Sequence, residues 1–226
     1  MRKILATFVI GGLLAGGVTT TATANDLGLG DDTFASVPLA FTFNFYGVDY
    51  NNIFVGSNGF VTFGAGDTDF SDSLTEFLGQ EPRIAPAWDD WSPNAGGQVT
   101  AKGDANSMVV TWDGVPSFSN GGVNTFSTTL YANGNIDLTI DSITSPEGNG
   151  IIVGLSPGGN LGNPGTLVDF SNNLIQQVPG LGDQAIYETF AVNTDLNGMT
   201  ISFIPAPGAL ALLGLAGLVS RRRRRA

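Results

Sequence analysis

The chain has 226 residues, is 42% hydrophobic and carries a formal charge of −11 at pH 7, with neither cysteine nor histidine. That length and apolar content support one medium-sized core and argue against disorder throughout. The missing residue types exclude disulfide staples, Ser-His-Asp and Cys-His catalysis, and zinc sites built on imidazole or thiolate. The charge is also segregated: Arg2, Lys3 and Arg221 to Arg225 occupy the two ends, leaving Arg83 and Lys102 against all 20 acidic residues in the body. This balance argues against nucleic acid and anionic lipid headgroups as partners of the body; divalent cations, or nothing, suit it better.

From the N-terminus, a basic start, an apolar stretch from Ile4 to Val18 and the small-residue pattern Ala22-Thr23-Ala24 have the layout of a secretory signal cleaved after Ala24. A buried N-terminal helix is the competing reading, but the threonine run before Ala22 would end it without a partner face. Residues 1–24 are set apart from the fold as a signal helix, and the mature chain is expected to be exported. Without disulfides, its body must be held by a hydrophobic core or by bound ions.

The body shows short runs in which apolar and small polar residues alternate, punctuated by Gly, Asn, Asp and Pro, so it reads as all-β. "LAFTFNFY" puts Leu39, Phe41, Phe43 and Phe45 on one strand face and Ala40, Thr42, Asn44 and Tyr46 on the other. In "IFVGSNGFVTF" a loop of Ser57-Asn58-Gly59 opposes Val55 to Val61 and Ile53 to Phe63; a shorter loop would oppose apolar to polar. The same test on "FSTTLYANGNIDLTI" selects the loop Ala132-Asn133-Gly134, aligning Leu130 with Ile136, Thr128 with Leu138 and Phe126 with Ile140. Gly59 and Gly134 then fall where a left-handed residue is needed. Further strands are predicted over 98–102, 107–112, 151–156, 166–170, 186–190 and 199–204. About eleven short, mainly antiparallel strands in one domain make a β-sandwich.

Residues 64–93 have few alternating positions and three prolines, and read as a long crossing loop with one short helix near Leu74 to Leu78. Within it, "GDTDFSD" offers Asp67, Asp69 and Asp72 as oxygen ligands at alternate spacing, a candidate Ca2+ site, although it lacks the spacing and terminal glutamate of an EF-hand. A solvated acidic loop is the alternative. Asp89 and Asp90 lie between Trp88 and Trp91, yet neighbours on a strand point to opposite faces and do not form a glycosidase pair about 5–9.5 Å apart. Turn capping or a structural contact with nearby Arg83 is expected instead. Trp88 and Trp112 are expected in the core, and Trp91, near a proline in the loop, is expected to be exposed.

The chain closes with Pro205-Ala206-Pro207, an unbroken apolar run from Ala209 to Val219, and Arg221, Arg222, Arg223, Arg224 and Arg225. As a helix, Ile204 to Ser220 would extend about 25 Å, a marginal membrane span. Five arginines directly behind it would hold that end in the cytoplasm and leave the body outside. This layout resembles the PEP-CTERM sorting signal, with Ala206 in place of the usual central glutamate. The resemblance implies export in a Gram-negative bacterium that makes exopolysaccharide, processing by an exosortase-type membrane protease, and a C-terminal hydrophobic helix in the inner membrane before processing.

A second resemblance rests on "FTFNFYGVDYNNIFVGSNGFVTFG", "PRIAPAWDDW", "VVTWDGVPSF" and "NTFSTTLYANGNIDLTI", in that order and spacing. Together they are similar to the extracellular nidogen-like (NIDO) domain over roughly Leu39 to Ile140, and "GIIVGLSPGG" with "LVDFS" looks like its continuation in bacterial forms. It implies adhesion or matrix association and no family-wide catalytic residue. The expected organisation is a signal at 1–24, a nidogen-like sandwich at 25–203 and a sorting and anchor segment at 204–226. The expected function is a surface-delivered, non-enzymatic protein that meets extracellular polysaccharide or a matrix protein; the alternative is a carboxylate-dependent glycan hydrolase.

Overall fold

A computed structural model describes residues 23–144, 146–147, 150–159, 165–178 and 184–205. Ala22, Ala206, Pro207 and Arg221 to Arg225, on which the signal and sorting predictions rest, lie outside the described residues. In chain order the elements are β1 (Asn25–Asp26), β2 (Phe34–Phe45), β3 (Val48–Gly56), β4 (Val61–Thr62), α1 (Leu74–Gly79), β5 (Arg83–Trp88), β6 (Gln98–Gly103) and β7 (Ser107–Ser117). There follow β8 (Gly121–Tyr131), β9 (Ile136–Ser142), β10 (Ile151–Ser156), β11 (Thr166–Leu167), β12 (Ile175–Val178), β13 (Ile186–Phe190) and β14 (Met199–Pro205).

The alternating sequence folds into two facing sheets, ordered β1-β6-β7-β8-β9-β14-β12 and β11-β13-β10-β5-β4-β3-β2. The pairs β11/β13 and β12/β14 are parallel and the other pairs antiparallel. The all-β sandwich is as expected; among the described residues, β1, β5 and β12 are strands beyond the predicted set. Between the sheets, Phe43, Phe45 and Phe63 stack with centroids 6.0 and 4.5 Å from Phe63, and Trp112 stacks on Phe126 at 5.3 Å. Each such fully buried side chain contributes about 1.5–3 kcal/mol.

Both turn registers are as the side-chain pattern requires. Val55 faces Val61, and Leu130, Thr128 and Phe126 face Ile136, Leu138 and Ile140. Gly59 and Gly134 have φ of 78° and 89°. At Gly59 the requirement is doubled, because an added Cβ would lie 1.9 Å from the carbonyl oxygen of Ala87. Along β2, Val37, Leu39, Phe43 and Phe45 are buried, but Phe41 is only half-buried because the β2/β3 register shifts between Pro38 and Phe43. Pro38 is tolerated because β2 is an edge strand.

The predicted loop 64–93 is corrected: Arg83–Trp88 is a central strand, between β10 and β4. It lacks alternation because both of its faces are covered, as in strands buried on two sides. Ile84 and Ala87 enter the core between the sheets, whereas Ala85 and Trp88 join a second cluster with Phe60, Phe77, Leu78, Ile152 and Tyr187 under α1. Pro86, which has no N–H for a ladder, falls where the β5/β10 register shifts. The short helix itself, Leu74–Gly79, is where the sequence placed it, with Ser73 as its N-cap.

Candidate functional site

At one end of the sandwich, the turn before β2, the β3–β4 turn and the segment after β5 meet on a buried side chain, Asn58. Its Nδ2 donates to Asp32 Oδ1 at 2.9 Å and to the carbonyl of Asp69 at 3.1 Å, and its Oδ1 accepts from Trp91 N at 3.1 Å. The three Asn58 contacts hold together segments that are far apart in sequence. Trp91 is fully buried, against the expectation of exposure, because its indole N–H donates to Ala87 O at 2.8 Å and its ring packs on Phe126. Trp112 stacks on the same Phe126 ring and donates its indole N–H to the carbonyls of Gly56 and Ser57. Trp88 is core, as predicted.

Asp89 is fully buried and caps main chain: Oδ1 accepts from Asp90 N and Oδ2 from Glu147 N, each at 2.8 Å. Burial pushes its carboxyl up to about 7, against those two hydrogen bonds and with help from Asp72 and Glu147. Asp90, 9% exposed, differs: its buried Oδ1 has no hydrogen-bond partner among the described residues. Burial, then the charges of Asp32, Glu147 and Asp31, push it up to about 6. One carboxylate oxygen each from Asp31, Asp32 and Asp90 lie within 4.8 Å of one another. Neighbouring Glu147 is differently placed: burial alone would raise it, but hydrogen bonds from Ser119 and Ser117 carry it below the usual range.

Arg83 does not partner Asp89 or Asp90. It is fully buried on β5, paired with Asp67, and lies over the rings of Phe60 and Trp88 at 4.9 and 4.2 Å. The carboxylates of the "GDTDFSD" loop hold separate positions. Asp67 takes Arg83 and the Asp69 N–H, Asp69 interacts with Glu76, and Asp72 has a buried Oδ1 without a partner among the described residues and is pushed up to about 6 by burial. Asp31 and Asp32 were not legible as site residues: they lie more than fifty positions from Asp90, and no local spacing joins them.

At the opposite end, the β2–β3 turn, the approach to β5 and the segment after β10 enclose a cleft of about 400 Å³ lined by Phe45, Tyr46, Tyr50, Pro82, Pro157 and Gly158. The Tyr46 hydroxyl donates to Gln184 O at 3.0 Å, which fixes its ring at the rim.

A family model described as NIDO related matches residues 14–205. The chain belongs to the NIDO-related family. Comparison with curated proteins and with solved structures returns no match. Membership gives this NIDO-related protein an extracellular domain, and it spans both the aspartate cluster and the aromatic cleft. No helix among the described residues is long and apolar enough to cross a membrane.

Proposed function

We propose that this NIDO-related protein is exported to the cell surface, where it acts without catalysis in adhesion or in the exopolysaccharide matrix. The observation that carries the reading is the NIDO-related match over residues 14–205, a family of extracellular domains. Two features support it. Asp89, the most buried acid between the tryptophans, already accepts two main-chain hydrogen bonds, the arrangement of a turn cap. The cleft beside Tyr46 and Tyr50 offers aromatic surface with nearby polar main chain, which suits the apolar face of a sugar ring.

Delivery follows from the two ends: a signal cleaved after Ala24, then a PEP-CTERM-type segment in which Pro205-Ala206-Pro207 is read by an exosortase-type protease and Arg221 to Arg225 stop transfer. The test has two arms. In a host with an exosortase, immunoblots of membrane and medium should show a full-length and a shortened species. Replacing Arg221 to Arg225 with Ser should release the protein, and replacing the triplet should block shortening. In the second arm, the exported protein should sediment with purified host exopolysaccharide, weakly when Tyr50 is Ala, and release no reducing sugar. Failure to bind would overturn the matrix reading, and release of reducing sugar that is lost in Asp90→Asn would favour the glycan hydrolase.

A further inference from the structure

The only basic residues between the two termini are Arg83 and Lys102. Arg83 is tied to Asp67, and Lys102 stands exposed on β6. Neither supplies a counter-charge to the three aspartates whose oxygens converge at the Asn58 end of the sandwich. Convergence of acids by itself is common on exposed turns. Here, however, Asp90 is only 9% exposed as a residue and carries a buried oxygen that no donor among the described residues reaches, and half-buried Asp31 likewise has one buried, unpartnered oxygen. Buried carboxylate oxygens are ordinarily satisfied, so two orphans on carboxylates of one cluster call for a missing partner. Asn58 already donates to Asp32 and thereby orients its carboxylate, a supporting contact of the kind that steadies metal ligands.

From the convergence of Asp31, Asp32 and Asp90, with buried oxygens of Asp31 and Asp90 that no donor among the described residues satisfies, we infer that these three residues form a calcium site. All-carboxylate oxygen ligation selects a hard cation. Oxygens that all lie within 4.8 Å of one another can share one such ion, and calcium, with its flexible coordination, suits carboxylates set by separate turns better than magnesium, which demands near-ideal octahedral geometry. The bound ion ties the turn that leads into edge strand β2 to the end of central strand β5. These residues are distinct from Asp67, Asp69 and Asp72. The inference stands on geometry alone and uses the extracellular reading only for affinity, on the order of 10⁻⁴–10⁻³ M as in extracellular modules.

The test uses the full chain, stripped with EGTA and titrated with calcium chloride by calorimetry, with melting followed in parallel. One site of millimolar or submillimolar affinity and a calcium-dependent rise in Tm are expected, both lost in Asp31→Asn and in Asp90→Asn. Both should survive in the double variant Asp69→Asn, Asp72→Asn. Because Asp90→Asn removes a buried unpartnered charge, its Tm in EGTA should be no lower than that of the parent, which separates loss of the ion from loss of the fold. Should it misfold, Asp31→Asn, on the turn, decides alone. The inference is overturned if the parent shows no heat and no rise in Tm, if Asp31→Asn binds like the parent, if the double variant is the one that loses binding, or if magnesium acts as well as calcium. Since binding is measured on purified protein, its failure leaves the surface-delivery reading standing, and failure of polysaccharide binding leaves the calcium site standing.

Discussion

Asn58→Ala tests whether one buried amide holds the end of the sandwich. The substitution leaves Trp91 N–H without its acceptor in a site where both residues are at most 1% exposed, a loss of about 1–3 kcal/mol. The other two partners, Asp32 Oδ1 and Asp69 O, belong to half-buried residues that can recover water. Each therefore contributes only the net value of a hydrogen bond, about 0.5–1.5 kcal/mol. The total is about 2–6 kcal/mol, to be read from urea unfolding in EGTA as a lower midpoint at unchanged slope. Asn51→Ala is the control: Asn51 is exposed and its Oδ1 accepts from Thr42 on the surface, so the loss should stay within about 0.5 kcal/mol. A loss for Asn58→Ala below about 1 kcal/mol, or no larger than that of Asn51→Ala, would refute the clamp.

Gly59→Ala should abolish soluble folded protein, since its Cβ meets Ala87 O at 1.9 Å, whereas Gly121→Ala, also at positive φ but with nothing within 4 Å, should lose only about 1 kcal/mol; circular dichroism and expression yield separate the two. Arg83→Ala leaves Asp67 unpaired and should destabilise by about 3–5 kcal/mol in urea, while Arg83→Met, which replaces the charge by an apolar chain between Phe60 and Trp88, should lose less. In chelator, Asp89 near 7 and Asp90 near 6 bind protons more tightly folded than unfolded, so stability should rise as pH falls from about 8 towards about 4. Asp90→Asn should reduce that slope in pH-resolved thermal melts, and a parent that instead gains stability with rising pH across this window would contradict the burial of these groups.

The sequence by itself determined the sandwich and the register of its two tightest turns. An alternating strand has one apolar face, and a slip of one residue would turn that face to water, so the pairings Val55–Val61 and Phe126–Ile140 were fixed by side-chain chemistry alone. Only the tertiary structure revealed β5, because a strand covered on both faces carries no alternation, and Pro86 reads as a breaker until the bulge against β10 is seen. The same covering buried Trp91, whose neighbouring proline marks a loop but not which ring the loop folds over. The Asp31–Asp32–Asp90 cluster belongs wholly to topology. Carboxylates attract no partner through sequence spacing when the chain between them must run through β2, β3, β4, α1 and β5 before they meet, and the Asn58 turn, bonded to Asp32 and to Trp91 N, draws their two segments together.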